Sequence, residues 1–134
     1  MVRECPFCRQ PETEIIGENE LVQAFFDKFP VNNGHVLIVP KRHFADFFEA
    51  TPEEMKAMMD LLLEVKKLLQ NQFNPDGYNV GVNVGAAAGQ TVFHLHMHVI
   101  PRYHGDVKDP RGGIRKIKPS IVPYLVEEEE NITD

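Results

Sequence analysis

The sequence predicts an α+β domain in which an antiparallel sheet of about five strands packs against one long helix. Short runs rich in β-branched and aromatic residues, each ending at turn residues, predict the strands. One segment, residues 51–73, carries apolar residues at helical spacing. The last two of these runs are separated only by a short loop, which favours antiparallel pairing. Helices and strands in separate runs are typical of the α+β class.

The predicted strands are residues 13–17, 20–26, 35–40, 78–84 and 92–100. Turn residues separate them, including a Gly-Glu-Asn sequence after the first strand and a Pro-Val-Asn-Asn-Gly sequence before the third. The last two strands flank a loop of small residues and are therefore expected to form an antiparallel pair.

The helix has a clear start and a clear end in the sequence. Thr51 is a good N-cap residue, Pro52 suits the first helical position, and Glu54 completes a capping box. Methionines and branched residues then recur on one face, which indicates core packing. An Asn-Pro-Asp-Gly sequence from Asn74 ends the helix.

Length and composition limit what the chain can be. Its 134 residues are 43% hydrophobic and 25% charged, which is typical of one globular domain, and we assign residues 1–126 to that domain, including a C-terminal arm from about residue 103. Residues 127–134 are expected to be an acidic flexible tail.

The charge and the apolar runs limit the partners. A net charge of -6 argues against nucleic acid as a partner, and no apolar run is long enough to suggest a membrane. Without an apolar segment behind its basic residue, the amino terminus predicts a cytoplasmic protein.

The most informative feature is a row of three histidines at every second position. On a strand, His94, His96 and His98 would share one face about 7 Å apart, with the apolar residues between them in the core. A single histidine in such a run is usually a core residue whose polar atoms are satisfied. Strict alternation of three indicates a reactive surface on a buried strand.

A second feature is the pair Cys5 and Cys8, separated by two residues. Two such thiols can hold one tetrahedral metal ion, and His43 and the histidine row could supply the remaining ligands. A redox dithiol is the alternative, although that motif normally starts a helix, whereas prolines surround this pair. The residues alone leave both interpretations open.

A loop of small residues, residues 85–91, directly precedes the histidine row. Its backbone N–H groups could approach an anion closely, and Gln90 and Thr91 add side-chain donors. The loop lacks the lysine and the following helix of a P-loop, so we reject that site. A flexible hairpin connection remains the alternative, but the adjacent histidines favour an anion-binding loop.

From Cys5 to about Arg102 the chain resembles the histidine triad (HIT) nucleotide-binding proteins. The resemblance rests on residues 94–100 as the triad with its apolar spacers, on residues 88–92 before it, and on residues 34–43 upstream. It implies a nucleotidyl hydrolase or transferase that works as a homodimer. The two five-stranded sheets would join edge to edge, and each subunit would hold its own purine nucleotide.

The resemblance also implies roles for individual residues. His96 would be the nucleophile that forms a covalent nucleotidyl intermediate, His98 would hydrogen-bond the reacting phosphate, and His35 would orient the network. The nucleotide-binding residues would be Asp27, Asn83, Gly89, Gln90, Thr91 and His98. In the zinc-containing bacterial and archaeal members, a closed structural zinc site would use Cys5, Cys8, His43 and His94.

The presence of His98, where a glutamine is typical of the transferases, favours hydrolysis. We predict cleavage at the α-phosphate of a purine dinucleoside polyphosphate such as Ap4A or Ap3A, because the segment from residue 103 to 115 resembles hydrolases of that kind. Its basic residues could contact a polyphosphate chain. Hydrolysis of AMP phosphoramidates is the alternative within the same chemistry. A nucleotide-binding sensor with vestigial turnover is the alternative outside it.

Overall fold

A computed structural model of the chain describes residues 4–119. The acidic tail at residues 127–134 and the end of the expected domain lie outside these residues. The sheet has five antiparallel strands in the order β1-β2-β3-β5-β4. The strands and the one long helix are β1 (Ile15–Glu18), β2 (Val22–Phe26), β3 (Val36–Pro40), α1 (Pro52–Phe73), β4 (Gly77–Val82) and β5 (Met97–Arg102). The predicted α+β class is confirmed.

The long helix begins and ends where the sequence predicts. The Thr51 hydroxyl accepts a hydrogen bond from the Glu54 N–H (3.0 Å), and the Glu54 carboxylate accepts one from the Thr51 N–H (2.9 Å), which completes the capping box. Asn74 ends the helix in the left-handed conformation, with φ 49°. The Glu54 carboxylate also accepts a hydrogen bond from Nη2 of Arg42 (2.8 Å), and the Arg42 guanidinium lies 4.0 Å from the centre of the Phe44 ring. The start of the helix thereby holds the segment that carries His43.

The apolar face of α1 packs on one side of the sheet, against β1, β2 and β3. Its buried apolar residues are Met58, Leu61, Val65 and Leu69. Met59 lies outside this face and is 45% exposed. Within residues 4–119, no helix combines the length and the apolar character that a membrane span needs.

The first strand starts later than predicted. Glu12–Glu14 form a short 3-10 helix, and β1 follows it with a bulge between Ile15 and Gly17. The carbonyl of Pro11 accepts the Glu14 N–H, so this part of the predicted strand satisfies its backbone locally.

The last strand also starts later, at Met97 instead of residue 92, and this correction matters for the site. β5 pairs with β3 only as far as Met97 opposite Ile38. Before that point the Leu95 N–H donates to the carbonyl of Phe44 (2.7 Å) instead of to a strand. His94 and His96 therefore lie on an irregular segment that reaches the loop after β3, although the alternation persists: Leu95, Met97 and Val99 are buried.

Candidate active site and metal site

The histidine row lies where β5 enters the sheet between β3 and β4. The side chains of His94 and His96 are buried, whereas His98 is half-buried. The ring centres of His96 and His98 are 5.0 Å apart, closer than the roughly 7 Å expected for a regular strand. The 7 Å repeat refers to backbone positions, so the two rings lean toward each other.

The backbone fixes which ring nitrogen of His96 is reactive. Its Nδ1 lies 2.8 Å from the carbonyl oxygen of His94. A carbonyl can only accept, so Nδ1 carries the proton and Nε2 keeps its lone pair. The unprotonated Nε2 is the nitrogen that can attack an electrophile.

A second pair of imidazoles, His35 and His98, forms a hydrogen-bonded relay. The Val31 N–H donates to Nδ1 of His35 (2.9 Å), so in the neutral ring Nε2 of His35 carries the proton. That nitrogen lies 2.9 Å from Nδ1 of His98 and donates to it. The proton of neutral His98 is then on Nε2. The relay therefore ends in an N–H donor beside His96.

Burial keeps this relay neutral. It lowers the pKa of His35, although the nearby Asp27 carboxylate opposes the shift. For His98, burial, followed by the neighbouring His96 and His35, lowers the pKa to about 4. Both rings are therefore uncharged near neutral pH, as the hydrogen-bond pattern requires.

A cavity of about 300 Å³ opens in front of His96 and His98. Its apolar walls include Phe7, Phe25 and Leu37. Asp27 also lines it, with Oδ2 3.5 Å from Nε2 of His35. The cavity thus combines apolar and aromatic walls with a carboxylate and the imidazoles of His96 and His98.

Phe7 and Phe25 line this cavity, although the sequence favours a core role for both and neither is among the predicted site residues. The ring centre of Phe7 lies 4.9 Å from that of His96, edge to face, and 5.6 Å from that of Phe25. Among nine phenylalanines, composition gives no reason to select either. The place of Phe7 between Cys5 and Cys8 is the one signal in the sequence that could have done so.

The side chain of Gln90 stabilises the loop of residues 85–91, before the histidine row, through hydrogen bonds to backbone groups. The Gln90 amide oxygen accepts from the Gly85 N–H (2.9 Å), and its nitrogen donates to the carbonyls of Ala45 (3.0 Å) and Val92 (3.2 Å). Thr91 lines the cavity, whereas Gln90 is buried behind it and Gly89 turns the loop with φ 95°. Gln90 thus braces the loop in this structure.

Asn83 lies at a second cavity of about 370 Å³, on the other side of His98. This cavity shares His35 and His98 with the relay, and its walls are mostly apolar: Val31, Val80, Val82, Ile100, Ile114 and Ile117. The two cavities meet at His98. Of the nucleotide-binding residues predicted from the sequence, Asp27, Thr91 and His98 line the first cavity, and Asn83 and His98 line the second.

Cys5, Cys8, His43 and His94 are positioned to bind a metal ion, with their ligand atoms within 4.8 Å of one another. Nε2 of His94 donates to the Pro40 carbonyl (2.7 Å), which leaves its Nδ1 unprotonated. That Nδ1 lies 3.1 Å from Nδ1 of His43 and 3.5 Å from the sulfur of each cysteine. Two thiols and two imidazole nitrogens directed at one point fit a tetrahedral ion and leave no position for water.

Asp27, His35 and His98 also lie close enough together to hold a metal ion. Their hydrogen bonds argue against it. A neutral imidazole that binds metal through Nε2 carries its proton on Nδ1, where His35 already faces the Val31 N–H. The Val31 N–H and the Nδ1–H of His35 would then be two donors facing each other. The arrangement therefore favours the hydrogen-bonded relay over a metal ion.

The HIT domain profile matches residues 9–105 of the chain. A 16.1 kDa HIT-like protein of Mycoplasma pneumoniae is 45% identical over 103 residues, which cover 74% of this chain and 72% of that protein. The chain belongs to the HIT family, whose members are nucleotide hydrolases and transferases.

Two further relatives bear on the site. The solved structure of a zinc-bound histidine triad family protein from Mycobacterium smegmatis superposes with a TM-score of 0.69 at 32% identity, over 90% of this chain and 84% of that one. An AP-4-A phosphorylase of Mycobacterium tuberculosis is 34% identical over 104 residues, which cover 77% of this chain and 53% of that protein.

Proposed function

We propose that this protein is a nucleotidyl hydrolase that cleaves a purine dinucleoside polyphosphate at its α-phosphate through a covalent intermediate on His96. The observation that carries the proposal is the hydrogen bond between Nδ1 of His96 and the His94 carbonyl, because it leaves the lone pair on Nε2. His98, whose N–H donor stands beside that ring, supports the same chemistry.

In the first step, the Nε2 lone pair of His96 attacks the α-phosphorus. The bond from phosphorus to the bridging oxygen breaks, and its electron pair leaves with the departing nucleotide. The N–H of His98 hydrogen-bonds the oxygen on which charge develops. The nucleotidyl-imidazole carries a positive charge, which the His94 carbonyl stabilises through Nδ1–H.

In the second step, water attacks the same phosphorus. The bond between phosphorus and nitrogen breaks, its electron pair returns to Nε2 of His96, and the proton of the water passes to solvent or to the product phosphate. The products are a nucleoside monophosphate and the enzyme in its starting protonation state. His35 keeps the donor of His98 directed at the phosphate through both steps.

The cavity in front of His96 suits a nucleoside monophosphate. We place the purine against the rings of Phe7 and Phe25 in the cavity wall, and the ribose hydroxyls at Asp27, whose two oxygens can accept from both. Thr91 lines the same cavity as His96 and His98, and its hydroxyl would donate to a phosphate oxygen. Gln90 and Gly89 would act by holding the loop amides in place, and Asn83 by contacting the part of the substrate beyond His98.

A dinucleoside polyphosphate is favoured by the neutrality of the relay. A polyphosphate leaves as an anion and needs a hydrogen bond, which His98 supplies at its lowered pKa of about 4. An amine must gain a proton to leave, and the N–H of a neutral imidazole such as His98 is a far weaker acid than an imidazolium. The relationship to an AP-4-A phosphorylase supports the same choice.

Hydrolysis of AMP phosphoramidates is the second candidate, and one observation favours it. Among the described residues that line the cavity beyond His98 there is no lysine or arginine, and its walls are apolar. Such a surface suits an uncharged amine better than the second half of a polyphosphate.

Three further proposals accompany the activity. Zinc is the ion that best suits the two cysteines and two histidines, where it would fix the amino-terminal segment and His94 and take no part in the reaction. A homodimer would join the sheets at β4, which is an edge strand in the described structure. A cytoplasmic location would keep both thiols reduced, as metal binding requires.

The test is rapid-quench intact mass spectrometry without acid, with diadenosine tetraphosphate and AMP phosphoramidate as separate substrates. We expect a transient mass gain of one AMP in the wild type and none in His96→Ala. His104→Ala is the matched control, because His104 is an exposed histidine whose loss should change nothing.

The substrate with the faster turnover decides between the two candidate reactions. A wild-type protein that binds AMP but gives neither adduct nor product would contradict the proposal and would favour the nucleotide sensor. An adduct that persists in His96→Ala would place the nucleophile elsewhere.

A further inference from the structure

The turn between β2 and β3, residues 30–34, decides the proton arrangement of the relay. The Val31 N–H in this turn donates to Nδ1 of His35 (2.9 Å), and the His35 N–H returns to the carbonyl of Asn32 (3.2 Å). An amide N–H can only donate. As long as Val31 holds this place, His35 must carry its proton on Nε2.

Asn32 ties this turn to the end of β5. Its side-chain nitrogen donates to Oδ2 of Asp106 (2.8 Å) and to the carbonyl of Pro101 (3.1 Å). The Tyr103 hydroxyl adds a bond to the carbonyl of Asn33 (2.7 Å). The turn also packs tightly, since a Cβ on Gly34 would come within 3.1 Å of the Pro101 ring.

Asp106 is an anchor with many partners. Its side chain is 13% exposed and accepts hydrogen bonds from Nε and Nη2 of Arg102 (both 2.8 Å), from the Tyr103 N–H (3.0 Å) and from Asn32 (2.8 Å). The hydrogen bond with Arg102 holds the pKa of Asp106 well below its usual range. Arg102 in turn donates to Asn79 on β4 (2.7 Å). The turn is therefore fixed to a charged network on two strands.

We infer that Asn32 and Asp106 are positioning residues that set the direction of the relay from His35 to His98. Neither side chain lines the cavity in front of His96. Asp106 holds Asn32, Asn32 holds the turn, and the Val31 N–H in the turn selects the tautomer of His35. The inference deepens the proposed function, because the tautomer of His98 matters only if that residue donates to the reacting phosphate.

The consequence of a loosened turn follows from the chemistry of imidazole. Without the Val31 N–H, His35 is free to move its proton to Nδ1 and to present a lone pair on Nε2. Nδ1 of His98 would then donate to it, and Nε2 of His98 would face the phosphate without a proton. The relay would run in reverse, and a hydrogen-bond donor would become an acceptor that repels the phosphate oxygens.

The decisive measurement is the imidazole nitrogen NMR spectrum of the free protein labelled with ¹⁵N-histidine, because nitrogen shifts distinguish the two tautomers. In the wild type we expect the proton on Nε2 of both His35 and His98. Asn32→Ala and Asp106→Asn should each shift both rings toward the Nδ1 tautomer. Asn33→Ala and Asp109→Asn are the matched controls, since they make the same changes at an exposed turn residue and an exposed carboxylate.

Kinetics supply the second readout. We expect kcat to fall about tenfold or more in Asn32→Ala and Asp106→Asn, with KM changed less than threefold and with metal content and melting temperature close to those of the controls. Unchanged tautomers in both variants, or the opposite tautomer in the wild type, would overturn the inference. The spectra need no substrate, so they test the positioning inference alone. The proposed function fails separately, if no adduct forms on His96.

Should Asn32→Ala unfold, Asp106→Asn and Tyr103→Phe provide the test. Tyr103→Phe removes only the hydroxyl that binds the turn at Asn33. A smaller shift of the same nitrogens in the same direction is expected. Wild-type spectra in both variants would overturn the inference.

Discussion

The two ends of the histidine row use the same side chain for opposite purposes. At the metal-binding end, the Pro40 carbonyl accepts a hydrogen bond from Nε2–H of His94. The Nδ1 of that ring therefore keeps a lone pair, which is directed at Cys5 and Cys8. The relay end is His98 together with its partner His35. There the Val31 N–H donates to Nδ1 of His35, so Nε2 of His35 carries the proton and donates to His98. The ring is identical in both places. What differs is whether the backbone group beside it is an acceptor or a donor.

His96 stands between these ends and shares one property with the metal-binding end. A carbonyl accepts its Nδ1 proton, so it too presents a lone pair, but from Nε2 and toward a cavity instead of a cluster of thiols. In the proposed function, three histidines spaced two residues apart would therefore act as a metal ligand, a nucleophile and a hydrogen-bond donor. Backbone carbonyls orient the first two rings, and the Val31 N–H orients the third through His35.

Replacing His98 by glutamine removes the donor at the relay end and should have the greatest effect on turnover. A glutamine amide can either donate or accept, so the relay from His35 no longer fixes a donor at the phosphate. We expect kcat for the hydrolysis of diadenosine tetraphosphate to fall by about 10²- to 10⁴-fold. Steady-state product analysis measures this fall. Metal content should match the wild type, and a change in it would show that the two ends are not separate.

Removing both thiols tests the metal-binding end in the same way. In the double variant Cys5→Ser and Cys8→Ser we expect metal content near zero by atomic emission, since two imidazoles alone bind weakly. Because metal binding contributes to folding, the free energy of unfolding in urea should fall by about 3 kcal/mol or more. Chelation of the wild type should reproduce that loss. Retained metal in the variant would contradict the ligand set.

The sequence predicts the histidine row better than it predicts the strand that carries it. Alternation alone identifies the histidine row, and Leu95, Met97 and Val99 are buried as expected. The predicted start of β5 at residue 92 was wrong, because a hydrophobic pattern does not reveal which hydrogen-bond partners the backbone has. Leu95 bonds Phe44 in a loop, and this long-range contact ends the strand pairing at Met97.

The tautomers could not be read from the sequence either. They depend on a turn amide at Val31 and on the carbonyls of Pro40 and His94, and every residue carries such groups. Only the fold brings one of them to each ring. The helix α1 is the opposite case, because its cap, its proline and its apolar face are all local, and it lies where predicted.

Acid should destabilise the relay end by a moderate amount. The pKa of His98 is about 4 in the fold against 6.5 for histidine in the unfolded chain, so between these values the unfolded chain binds more protons. The contribution of His98 to stability is complete above pH 6.5 and is lost as the pH falls toward 4. We expect wild type to lose about 2 kcal/mol more than His98→Gln between pH 7 and pH 4.5 in urea titrations. Parallel losses would show that the ring is not buried as a neutral group.

Phe7 provides the smallest and most discriminating test, because its side chain joins the metal-binding end to His96. It lies on the segment between the two cysteines, and its ring contacts His96 in the wall of the cavity. Phe7→Leu keeps an apolar wall and loses the aromatic edge, which is worth about 1 kcal/mol. Calorimetry should therefore show roughly fivefold weaker AMP binding. Phe48→Leu, at an exposed phenylalanine outside the cavity lining, is the control.

The same titrations after chelation decide whether the metal holds this wall. If it does, removing the metal from the wild type should weaken AMP binding by as much as Phe7→Leu does, and removing it from Phe7→Leu should add little, because both changes disturb one contact. Additive losses would mean that the metal supports the nucleotide by another path, such as the His94 carbonyl that holds His96. Equal affinity in all four proteins would mean that the bound nucleotide does not touch this wall.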